Sequence, residues 1–149
     1  MSRVQEIEPF KIIGIAVQST NEGGKSAKDM GDLWGRFYSE EIASKIPNKI
    51  DETIYAIYTD YESDYTGSYM AIIGLRVNKL NNIPDGMAGR TFEGGTYKKF
   101  IAEGEMPKAI VKQWQYIWEQ DKKLNRKYTA DFEVYKQDSE IVEILIAID

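Results

Sequence analysis

A short segment near the end of the chain repeats one near its middle, and this repeat limits the folds that the chain can adopt. Residues 130–135 (ADFEVY) and 54–58 (IYAIY) both alternate aromatic or β-branched side chains with others at period two, which predicts a strand in each case. Aligned, the two segments match at Phe132 with Tyr55, Val134 with Ile57, and Tyr135 with Tyr58. Only Glu133 differs in kind, because it stands where the earlier copy has Ala56.

The predicted elements around these two strands also follow one order twice. A strand at 10–18, a helix carrying Trp34, and strands at 54–59 and 69–77 form the first copy. A strand from about 90 to 101, bent at Gly94-Gly95, a helix carrying Trp114, and strands at 130–136 and 141–148 form the second. The chain therefore predicts a single α+β domain, 1–149, built from a duplicated β-α-β-β unit at about 9–80 and about 88–148. Pseudo-two-fold symmetry then joins the strands into an antiparallel sheet, with a pocket between the two main helices.

Composition excludes several classes of function. The chain has no Cys and no His, which removes Cys/His zinc sites, thiol nucleophiles, disulfides and a Ser-His-Asp triad. We expect a binding protein rather than an enzyme, with no cofactor and no metal. A net charge of −5 argues against direct binding to nucleic acid. No apolar run is long enough for a membrane span or a signal peptide, so we predict a cytoplasmic protein.

Aromatic side chains on the predicted helix faces and strands point to a binding site around Glu133. The proposed ligand-binding set is Glu133, Trp34, Tyr58, Tyr69, Trp114, Trp118 and Tyr135. Aromatic rings attract cations by about 0.5–2 kcal/mol each. A carboxylate adds about 4 kcal/mol at 4 Å for an effective dielectric near 20, before desolvation is subtracted. The alternatives are an aromatic core without a ligand, and a solvent-facing Glu133 on an edge strand.

These residues resemble a known family. The doubled unit, the segment 55–61 (YAIYTDY) followed by 67–69 (GSY), and the terminal 131–135 (DFEVY) are similar to the GyrI-like effector-binding domain of AraC-type and BmrR-type multidrug regulators. Within that family the chain most resembles stand-alone cationic-drug-binding proteins carried on integron gene cassettes. The resemblance covers nearly the whole chain. It implies an aromatic pocket with Glu133 at its centre and with Trp34 and Trp114 on the two helices.

Three functions follow as hypotheses. The first is a binding module for lipophilic, cationic small molecules that acts as a sensor component or a sequestering agent. We expect this chain to lack the helix-turn-helix domain of the regulators, so control of transcription would need a DNA-binding or other protein partner. The second is a protein-interaction module like the gyrase inhibitors. The third is a GyrI-like hydrolase, in which Glu133 and a pocket tyrosine perform general acid–base catalysis.

Overall fold

The structure, a computed structural model, describes residues 3–64, 66–137 and 139–149. Strands and helices in this part of the chain alternate in two similar sets. The first set is β1 (Arg3–Ile7), β2 (Phe10–Thr20), a 3-10 turn (Glu22–Gly24), α1 (Lys25–Ser39), α2 (Ile42–Lys45), β3 (Lys49–Thr59) and β4 (Ser68–Val77). The second set is β5 (Ala88–Phe92), β6 (Gly95–Ala102), α3 (Lys108–Glu119), α4 (Asp121–Leu124), β7 (Ala130–Tyr135) and β8 (Val142–Ala147).

The strands form one antiparallel sheet whose order reflects the duplication. That order is β1-β6-β8-β7-β3-β4-β2-β5, so β3 and β7 pair at the centre. Ala56 lies directly opposite Glu133 in this pairing. Because the two residues are also equivalent in the repeat, the pseudo-two-fold axis passes between them. The predicted α+β fold with a duplicated β-α-β-β unit is confirmed.

Two strands differ from the prediction. The strand predicted at about 90–101 is divided at Gly94-Gly95, where both glycines have a positive φ, into β5 and β6. A Cβ on Gly94 would lie 2.2 Å from the carbonyl oxygen of Ile7, so this turn also needs a residue without a side chain. The strand β1 lies before the predicted repeat at 9–80, and it pairs with β6 while β5 pairs with β2. Each half therefore adds an outer strand to the other half. Period-two alternation cannot reveal this exchange, because it identifies a strand but not its partner.

The two faces of the sheet carry separate cores. Phe132 and Val134 pack on one face, in a cluster that also contains Tyr55 and Ile57. On the opposite face α1 and α3 cover different strands. Leu33 and Phe37 of α1 pack in one cluster, while Ile117 of α3 packs in another. The central strands thus remain open between the two helices, and this gap positions the candidate site.

Candidate functional site

A cavity of about 490 Å³ lies between α1 and α3, above the central strands. This volume is within the range of small-molecule pockets, roughly 300–1,000 Å³. All seven side chains of the predicted binding set line this cavity. The structure therefore brings together residues that are as far apart in the chain as Trp34 and Tyr135. Their role in ligand binding remains a prediction.

Glu133 lines the pocket and is only 4% exposed. Its Oε2 accepts hydrogen bonds from the Tyr58 hydroxyl (2.9 Å) and from Nε1–H of Trp114 (2.7 Å). Its Oε1 accepts one from the Tyr135 hydroxyl (2.5 Å). All three donors are neutral, and no lysine or arginine of the described residues forms an ion pair with this carboxylate. Neither the edge-strand position nor the solvent-facing orientation considered for Glu133 is observed.

Burial and hydrogen bonding act on the pKa of Glu133 in opposite directions. Desolvation disfavours the charged form and raises the pKa of this carboxyl, while the bonds from Tyr135, Trp114 and Tyr58 lower it, and burial is the larger effect. Burial, assisted by the negative charge of Glu133, also raises the pKa of the Tyr58 and Tyr135 hydroxyls well above their ordinary value. Both phenols therefore remain protonated donors at neutral pH. The described partners of this buried carboxyl group are neutral dipoles and not cations.

The aromatic walls repeat the symmetry of the fold. Trp34 of α1 packs edge-on against Tyr135, with ring centroids 5.0 Å apart. Trp114 of α3 packs edge-on against Tyr58 at 5.5 Å. Each tryptophan and each tyrosine is the repeat equivalent of its counterpart, so two similar ring pairs flank a single carboxylate. The symmetry is broken at Glu133 and Ala56, and by the indole of Trp114, which bonds the carboxylate.

The remaining predicted aromatics extend these walls. Tyr69 on β4 packs edge-on against Tyr58 with centroids 5.6 Å apart. Trp118 lies one helical turn after Trp114, at 6.4 Å from its ring. Most of the pocket wall is therefore aromatic or aliphatic, and such a wall suits an apolar ligand.

A second buried acid on β7 was missed by the sequence analysis. Asp131 has no exposed surface, and its Oδ2 accepts hydrogen bonds from Arg126 Nη2 (2.8 Å) and from the Tyr61 hydroxyl (2.5 Å). Its Oδ1 accepts the backbone N–H of Ala147 at 2.8 Å. Period-two alternation already places Asp131 on the same strand face as Glu133, and this was the signal that could have found it. Arg126 and Tyr61 also line the pocket.

The described part of the chain contains no group of three or more carboxylates that could hold a metal ion. Among the helices of residues 3–64, 66–137 and 139–149, none has both the length and the apolar character needed to cross a membrane.

Several known proteins are similar to this chain over most of its length. An integron cassette protein from the mobile metagenome of Vibrio cholerae has a TM-score of 0.79 at 30% identity, covering 99% of this chain and 95% of that one. The structure of SAV2435 bound to tetraphenylphosphonium has a TM-score of 0.83 at 20% identity, covering 100% and 94%. YobU of Bacillus subtilis (strain 168), a candidate transcriptional regulator, is 25% identical over 123 residues, which are 78% of this chain and 77% of YobU.

A sequence model of one protein family matches nearly the whole chain. The model matches residues 3–148 and describes integron-associated effector binding proteins. The match spans both halves of the duplicated sheet and every residue of the candidate pocket. It agrees with the resemblance identified in the sequence. This chain belongs to the Cass2 family of integron-associated effector binding proteins.

Proposed function

We propose that the pocket binds lipophilic cations and that Glu133 is the carboxylate that meets their positive charge. The observation that carries this proposal is the state of Glu133, which is buried in an aromatic pocket and bonded by three neutral donors without a cationic partner among the described residues. A buried carboxylate without a counter-ion opposes folding because it has lost its hydration. A ligand cation supplies the missing charge.

The surrounding rings support the same ligand class. Trp34, Tyr58, Trp114 and Tyr135 form two edge-on pairs, one on each side of the carboxylate. Ring faces attract cations that carry little hydration, and the contact strengthens when water is excluded. Apolar groups on the ligand would also bury surface at roughly 25 cal/mol per Å². SAV2435, which shares this fold, is bound to tetraphenylphosphonium, a cation with four apolar rings.

We further propose that the pocket holds its ligand without converting it. Both oxygens of Glu133 are held by donors that stabilise its charged form, and the two tyrosines that touch it stay protonated. Because desolvation also raises the pKa of Glu133, support for binding without hydrolysis comes from the family, whose model describes effector binding proteins. The chain then serves as a sensor component or as a sequestering agent, and the aromatic pocket around a buried acid favours this function over a protein-interaction module.

Titration of tryptophan fluorescence with tetraphenylphosphonium tests the proposal. Because Trp34, Trp114 and Trp118 all line the pocket, binding should quench their emission. We expect a low-micromolar Kd, about −8 kcal/mol. Tetraphenylborate is the matched control, since it has nearly the same shape and the opposite charge. Equal affinity for both ions would contradict the role given to Glu133.

Direct binding to nucleic acid is the second point to test. The net charge of −5 works against a phosphate backbone. We therefore expect no sequence-dependent shift of duplex DNA in a gel with the purified chain. A shift that depends on sequence and survives moderate salt would show that the chain reads DNA itself.

A further inference from the structure

The two helices that flank the pocket differ at one equivalent position. The repeat that matches Trp34 with Trp114 also matches Gly31 with Val111, three residues earlier on each helix. Residues three apart on a helix share a face, and Gly31 and Val111 both line the pocket. The wall from α3 therefore carries a branched side chain where the wall from α1 carries none.

The fold itself gives no reason for a glycine at position 31. The residue lies inside α1 and is not among the residues with positive φ. A Cβ built on it would meet nothing within 4 Å, so no close approach of backbone or side chain requires the space. Glycine in a helix interior lowers stability relative to alanine. The glycine at position 31 therefore lowers the stability of the helix and leaves open space at the pocket.

We propose that Gly31 determines ligand specificity by keeping the α1 wall open for the bulky part of a cation. This inference rests on the proposed function, because it assumes that the ligand's charge lies against Glu133. Trp114 bonds Glu133 on the α3 side, where the half-exposed side chain of Val111 also lines the pocket. The apolar body of the ligand then extends toward α1. The ligand class is a cation with several large apolar groups, rather than a compact or linear one.

The same helix supplies a matched control in Gly35. A Cβ on Gly35 would also meet nothing within 4 Å, but this residue does not line the pocket. The variants Gly31→Ala, Gly31→Val, Gly35→Ala and Gly35→Val therefore share their effects on the helix and differ in their effects on the cavity. Each is compared with the parent for melting temperature and for affinity toward tetraphenylphosphonium and the smaller benzyltrimethylammonium.

Both alanine variants should melt at a higher temperature than the parent, since alanine favours the helix at either position. Gly31→Val should weaken tetraphenylphosphonium binding at least fivefold, with a smaller loss for Gly31→Ala. Binding of benzyltrimethylammonium should change less than twofold. The two Gly35 variants should bind both cations as the parent does.

The outcomes separate this inference from the proposed function. A parent that fails to bind either cation contradicts both. If the parent binds but Gly31→Val binds tetraphenylphosphonium equally well, loses both cations to the same degree, or matches Gly35→Val, only the role of Gly31 is wrong. A fall in melting temperature for Gly31→Ala alone would show that packing requires the glycine, and this would also overturn the inference.

Discussion

Asp131 and Glu133 lie two residues apart on the same face of β7, and both are buried, yet their partners differ. Asp131 bonds the guanidinium of Arg126, the hydroxyl of Tyr61 and a backbone N–H. Glu133 bonds two phenols and an indole. The first carboxylate has its counter-ion within the chain. The second has none among the described residues.

This difference distinguishes a carboxylate that is paired within the fold from one whose charge we propose is available to a ligand. Removing one partner of a buried ion pair leaves the other charge uncompensated, which costs about 3–5 kcal/mol. Removing a charge that already lacks a partner relieves a desolvation penalty instead. Burial alone therefore does not mark a functional acid. The criterion that we propose is burial without a counter-ion, which Glu133 meets among the described residues.

The largest expected effect follows from breaking the paired site. Asp131→Asn removes the charge opposite Arg126 and turns an amide N–H toward donors on Arg126 or Ala147. Arg126 keeps its bond to Asp121, so we expect a loss of about 3 kcal/mol in the free energy of unfolding. Urea denaturation would measure this loss. A variant as stable as the parent would mean that the Arg126 pair does not support the fold.

Glu133→Gln should have the opposite profile. The amide oxygen can accept from Tyr58 and Trp114, and the amide N–H₂ can donate to the Tyr135 hydroxyl, so the shape and the hydrogen bonds are kept. We expect stability equal to the parent or slightly higher, and affinity for tetraphenylphosphonium at least tenfold weaker, about 1.4 kcal/mol. Melting temperature and affinity must be measured on the same preparation. Unchanged affinity would remove Glu133 from the centre of the site.

The pH dependence of binding also tests whether the carboxylate of Glu133, unlike that of Asp131, lacks a counter-ion. Because burial raises the folded-state pKa of Glu133, the folded protein takes up this proton at a higher pH than the unfolded chain does. The charge of Glu133 therefore destabilises the fold above the folded-state pKa. This penalty decreases as the pH falls and is absent below the ordinary pKa of a glutamate. Cation affinity should fall over the same acidic interval in the parent. In Glu133→Gln both the affinity and the stability should lack this dependence.

Trp114→Phe and Trp34→Phe test whether the symmetric tryptophans have different roles. Of these two tryptophans, Trp114 donates a hydrogen bond to Glu133 that lowers the pKa of the carboxyl, whereas Trp34 packs against the ring of Tyr135. Trp114→Phe should raise that pKa further, so cation binding should decline at a higher pH than in the parent. Trp34→Phe loses part of a ring wall and should weaken binding several-fold without moving the pH profile. Equal pH profiles for the two variants would contradict this division of roles.

An exposed acid provides the smallest expected effect. Asp60 accepts two hydrogen bonds from Arg90 at the surface, at 2.5 and 2.6 Å. This pairing lowers the pKa of the Asp60 carboxyl. Since surface ion pairs contribute about 0–1 kcal/mol, Asp60→Asn should change stability by less than 1 kcal/mol and leave cation affinity unchanged. A loss as large as that for Asp131→Asn would show that burial does not set the size of the effect.

The sequence by itself was sufficient to predict the repeated unit, the two strands that became β3 and β7, and the unusual character of Glu133. These features are local or periodic. Alternation assigns Glu133 and Tyr135 to one face of a strand, and three-to-four spacing assigns Trp34 and Trp114 to helix faces. Alignment of the two copies then shows that Glu133 occupies the position equivalent to Ala56. Each copy of a duplicated chain can be compared with the other in this way, so an unusual residue in one of them is recognisable.

Only the tertiary structure decided which residues are partners. The exchange of β1 and β5 between the halves depends on strand pairing, and neither strand's sequence specifies its neighbour. Asp131 acquires Arg126 and Tyr61, and Glu133 acquires Tyr58, which lies 75 positions earlier in the chain. The side chains of Asp131 and Glu133 end in the same chemical group, a carboxylate. Its environment differs because folding buries both acids and brings a counter-ion to only one of them.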